Sequence, residues 1–166
     1  MESVVSRPAP GAPVVLGSST DHLFAGWGSL FMVVWRHETT LAAVADLAPL
    51  VTQFAARHPR FALLVVVEES ASLPSSTVRE RIAASLQRVA PYIGASAVVH
   101  EGSGFRAAAV RAVLAGLGLI VRPPYPHQIF ARVEDAGRWL TVAHPTIDAV
   151  GLAEAVRTLR THRPAR

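Results

Sequence analysis

The stretch Phe61-Ala62-Leu63-Leu64-Val65-Val66-Val67-Glu68-Glu69-Ser70-Ala71-Ser72-Leu73-Pro74-Ser75-Ser76-Thr77-Val78-Arg79-Glu80 decides the fold class. Its first seven residues are an unbroken apolar run rich in β-branched side chains. They are too few for a buried helix and stop at two glutamates, which predicts a buried strand. After a Ser-rich loop, Thr77 and Glu80 make a capping-box pattern. Val78, Ile82, Leu86 and Val89 then recur at helical spacing until Pro91, so an amphipathic helix is expected.

Upstream, Val14 to Gly17 and Ser29 to Arg36 read as the first strands, with Asp21 and Gly26-Trp27-Gly28 as turn chemistry around them. Leu30 to Trp35 is nearly continuous in apolar residues, as in a strand covered on both faces. Thr39 or Thr40 caps a helix to about Arg57, with Leu41, Val44, Leu47, Val51 and Phe54 on one side and Pro49 as a kink. Downstream, Ala95 to His100 reads as a strand. Ser103 then caps a helix whose inward residues are Phe105, Ala109, Val113 and Leu117, closed by Gly116 and Gly118. A Pro-rich connection leads to a short strand around Gln128 to Ala131, followed by helices over Val133 to Leu140 and Ile147 to Leu159. The β-α-β-α alternation predicts an α/β fold with a mostly parallel sheet.

With 166 residues, 51% of them hydrophobic, the chain fits a single core. Residues 1–13 read as a flexible leader, 14–160 as one domain and 161–166 as a basic tail. No apolar run approaches the roughly 18 to 20 residues of a membrane span, so a soluble protein is expected. The absence of cysteine and of an apolar leader fits a cytoplasmic one.

Composition also excludes chemistries. Without lysine there is no P-loop and no Schiff base, and without cysteine there is no thiol nucleophile or iron-sulfur ligation. The seven histidines are scattered with no ligand pair, so no metal and no cofactor is expected. All sixteen basic residues are Arg, a bias that reflects coding composition before it reflects a nucleic-acid partner, and none is expected.

Four groups of residues remain as candidate sites. Ser72, Ser75, Ser76 and Thr77 precede a helix, where a phosphate would meet the positive end of the dipole while Glu68 and Glu69 repel it; the plainer role is turn and cap. Gly102, Ser103, Gly104 and Arg106 open another helix and offer anion contacts, although Ser103 reads first as a cap. Arg157, Arg160, Arg163 and Arg166 recur every third residue as a solvated helix end or a surface for an acidic partner. Catalysis would have to use Glu68, Glu69, His100 or Glu101 near strand ends, and nothing in the sequence pairs them.

This layout, with the Gly102-Ser103-Gly104-Phe105 helix start and the ending Ala136-Gly137-Arg138-Trp139-Leu140, resembles the STAS-like proteins over about Val14 to Leu140. It is similar to the small bacterial group related to anti-sigma factor antagonists and described as STAS/SEC14-like. The resemblance implies a sheet with helices mainly on one face and a regulatory, non-catalytic role with a protein partner. It also places the phosphorylated serine of such antagonists at Ser75-Ser76-Thr77, although their Asp-Ser-Gly surroundings are absent. The SEC14-related members imply instead a small apolar ligand between helices and sheet, and the alternative function is a module that binds a nucleotide, another anion or a lipid at the strand ends formed by Ser70 to Thr77 and Gly102 to Arg106. Oligomeric state is left open.

Overall fold

The computed structural model describes residues 11–164. Its described residues form six strands, β1 (Val14–Ser18), β2 (His22–Trp27), β3 (Leu30–Trp35), β4 (Phe61–Val67), β5 (Ile93–His100) and β6 (His127–Phe130). Five α-helices join them: α1 (Leu41–Arg57), α2 (Ser76–Val89), α3 (Gly104–Val121), α4 (Val133–Ala143) and α5 (Ala149–Thr161). The proposed leader falls mostly on residues 1–10, outside the described part, as do residues 165 and 166 of the proposed tail.

The strands lie in one sheet in their chain order, β1 to β6. The first three pair antiparallel and the last four parallel, which gives the expected mixed, mostly parallel α/β sheet. Each parallel step crosses over through one helix and moves the same way along the sheet. A shared crossover hand then puts α1, α2 and α3 on one face. After β6 the chain returns over the opposite face as α4 and α5. Three of the five helices therefore share a face, and the other face is covered too, as the continuous apolar β3 requires.

β4 pairs with β3 on one side and β5 on the other, in the middle of the sheet. Its bounds match those expected from its apolar run.

β2 is a correction to the sequence expectation, which reads Gly26-Trp27-Gly28 as turn chemistry and places no strand over residues 22–27. The glycine that marked a turn is a packing site: a Cβ on Gly26 would lie 2.9 Å from Cε2 of Phe54. The real turn is Gly28-Ser29, with Gly28 at φ 55° in the left-handed region that a two-residue hairpin needs.

Two helices also depart from expectation. α2 is capped by Ser75, whose Oγ accepts from Val78 N–H at 3.3 Å, so Thr77 lies within the first turn and makes no capping box. α3 runs through Gly116 and Gly118 to Val121. Pro123 sets its stop, with Arg122 at φ 47° donating its N–H to Gly118 O. Of the expected inward residues Val113 and Leu117 do face the sheet side, together with buried Ala107, Val110 and Val121, whereas Phe105 is 91% exposed. The helix is apolar on every side, so three-and-four spacing fits more than one face.

Candidate functional site

The layer formed by α1, α2 and α3 does not close on the sheet. Between them lies a cavity of ≈ 390 Å³. Its floor is Val33 and Trp35 of β3, Leu63, Val65 and Val67 of β4, and Val98 of β5. Its walls are Leu47 and Val51 of α1, Ile82 and Leu86 of α2, and Val113, Leu114 and Leu117 of α3. Val65, Val67 and Val98 belong to central strands of a sheet covered on both faces, yet each is only half-buried. The expected apolar stripe of α2, Ile82, Leu86 and Val89, is half-buried for the same reason: it faces the cavity.

Polar groups line this space too. Thr39, Ser72, Arg79, Ser85 and Arg88 are among its lining residues, together with Leu73 and Pro74 of the loop before α2. That loop is pinned from both ends. Ser70 Oγ donates to Arg36 O at 2.7 Å, Ser72 N–H donates to His37 O at 2.9 Å, and Arg79 Nη1 donates to Pro74 O at 3.1 Å. The candidates Ser72, Ser75, Ser76 and Thr77 are all exposed. Their roles differ: Ser72 is tied to His37 and Ser75 is the cap, leaving Ser76 and Thr77 on the first turn of α2. Leu73, between the pinned serines, is 48% exposed.

The second candidate group lies elsewhere. Gly102 and Gly104 take φ of 139° and 82°, and Ser103 occupies the N-cap position of α3 without a side-chain cap bond. Arg106 faces a shallow polar basin shared with Glu68, Glu69, Glu101 and Arg160. An anion placed there meets three carboxylates as well as two guanidinium groups.

Arg160 reaches Glu101 Oε2 at 2.7 Å and Glu68 Oε1 at 3.7 Å, tying α5 to the ends of β4 and β5. His100 is buried, its Nδ1 3.0 Å from Val67 O. Of the acids considered for catalysis, Glu68 and Glu101 are thus held in a structural tether, and Glu69 is exposed beside them. Arg157 pairs with Glu154 on the same helix, Arg163 is exposed beyond it, and Arg166 lies outside the described residues.

One polar cluster escaped the sequence reading. Ser96 of β5 is buried with its Oγ 2.5 Å from His127 Nδ1 of β6, its register partner. Burial holds the His127 imidazole below its ordinary 6.5. Burial likewise pushes the Tyr125 hydroxyl up, and its hydrogen bond to Ser96 pulls the other way. The only available signal was one serine inside an apolar strand. Its partner came from a strand placed one residue late.

Among solved structures, the chain is similar to an anti-sigma factor antagonist from Mycobacterium paratuberculosis. The two are 20% identical, the match covers 76% of this chain and 98% of that one, and the TM-score is 0.48. No family model and no curated protein matches the chain.

Proposed function

We propose that the protein is a non-catalytic binding module that takes a small, largely apolar ligand into the space between α1, α2, α3 and the sheet. The observation that carries this reading is the ≈ 390 Å³ cavity and its lining of Val, Leu and Ile. Ligand pockets run from roughly 300 to 1,000 Å³ with a few polar groups among apolar walls. An apolar ligand seated against these walls gains roughly 25 cal/mol for each Å² of apolar surface it removes from water.

The test is thermal unfolding with a panel of medium-chain fatty acids and alcohols, with native mass spectrometry of the purified chain. A ligand at about a hundredfold over its Kd should raise Tm by roughly 5 °C or more. Leu114→Trp, which fills the space, should abolish the shift. No shift with any ligand, or an equal shift in the filled variant, overturns the reading.

A second reading, a regulatory module with a protein partner at residues 70–77, is favoured by exposed Leu73, Ser76 and Thr77 beside the same cavity. Under it, Ser75→Asp or Ser76→Asp alters the proteins captured in a pull-down while leaving the fold intact. Identical capture by wild type and both variants counts against it.

A further inference from the structure

A helix that is apolar all round is ordinarily enclosed by protein. α3 is enclosed on one side only. Ala107, Val110 and Val121 are buried, while Leu119 and Ile120 are 77% and 64% exposed, and Phe105 stands out at the other end. Its length and composition are those of a helix able to cross a membrane, yet its inner side belongs to the domain.

The charge along this segment has one sign. From Gly102 to Val133 the only charged side chains are Arg106, Arg111, Arg122 and Arg132. Arg106 and Arg122 are exposed at the two ends of α3. Arg111 is turned back, its Nη1 3.5 Å from the carbonyls of His100 and Gly102. Carboxylates stand beside the N-terminal end, where Glu68 and Glu101 share Arg160 and Glu69 lies against Gly102. The C-terminal half carries Leu119, Ile120 and Arg122 with no acidic residue in its sequence.

We propose that the outer side of α3 docks on an anionic lipid surface. Leu119 and Ile120 enter the boundary between headgroups and acyl chains, and Arg122 meets lipid phosphates. A second copy of the chain fits this face less well. A stable interface needs about 800 Å² and some 20 to 30 residues from each partner, more than one side of one helix supplies. The docking rests on the outer side of α3 and the proposed ligand site on its inner side, so each stands without the other.

The experiment is flotation of the full chain with phosphatidylcholine vesicles, with and without phosphatidylglycerol, at low and high salt. Binding to the anionic vesicles alone, weakened by salt, is expected. Leu119→Ser with Ile120→Ser should weaken it by roughly tenfold or more, Arg122→Gln by less, and Val142→Ser, an exposed apolar residue of α4 over the opposite face, should leave it unchanged. Equal binding to neutral vesicles, no binding at all, or a dimer by light scattering that the double variant dissolves would each overturn the proposal. Fatty-acid thermal shifts in free solution need no vesicle and report separately on the cavity.

Discussion

The two faces of the sheet are built by alternate residues of the same strands, and they pack differently. Beneath α4 and α5, Leu64, Val66, Ala97 and Val99 have almost no exposed surface and meet Leu140, Leu152 and Leu159, which are equally enclosed. Beneath α1, α2 and α3, the neighbouring Val65, Val67 and Val98 open into a cavity. Strand composition is apolar on both faces, so what differs is the covering layer. Two helices joined by a short loop settle into the groove of one face. Three crossover helices, each fixed by its own pair of strands, touch their neighbours across the other face yet leave a cavity between themselves and the sheet.

The largest expected effect breaks the closed face. Leu152→Ala should cost roughly 2 to 5 kcal/mol in denaturant unfolding, because a fully buried side chain leaves a void that cannot collapse. Leu114→Ala, on the open face, should cost less than about 2 kcal/mol by the same mechanism, since its side chain already borders empty space. Equal losses would mean that the faces do not differ in packing.

Enlarging a side chain sharpens the contrast. Val66→Leu overfills the closed face and should destabilise by roughly 1 to 3 kcal/mol. Val65→Leu, one residue away, grows into the cavity and should be neutral or stabilising by up to about 1 kcal/mol.

The smallest effect is a pH dependence confined to the open face. Burial holds the imidazoles of His127 and His22 below their ordinary 6.5, with Asp21 and Asp46 opposing it at His22. The unfolded chain therefore takes up protons at higher pH than the folded one. Stability is full above about pH 6.5 and is lost as pH falls through that value toward the lower folded ones. His127→Gln should flatten the fall in Tm between about pH 7.5 and 5.5, and an unchanged slope would place the titration elsewhere.

Local pattern carried what is local. β4 and α2 were legible because a β-branched run and a helical stripe each fix one element without reference to any other. β2 was not, because Gly26 is a turn signal in sequence and a contact with Phe54 only once α1 packs over it. The face of α3 was legible in part: Val113 and Leu117 turn to the cavity as expected, but with apolar residues all round, periodicity could not choose between Phe105 and Ala107 as the first inward position. The serine loop was recognised as a candidate from its composition. The cavity that Ser72, Leu73 and Pro74 adjoin is a property of spacing between layers, and no residue pattern encodes a gap.

The unbroken strand order also has a consequence for how the chain is made. Every strand pairs with its neighbours in sequence, so the sheet can grow in the direction of synthesis, each new strand adding to a finished edge. The closed face alone must wait. Until α4 and α5 emerge, Leu64, Val66, Ala97 and Val99 form a broad greasy surface on an otherwise assembled sheet. A ribosome paused after β6 would thus hold a nascent chain with a nearly complete fold and a strong appetite for chaperones.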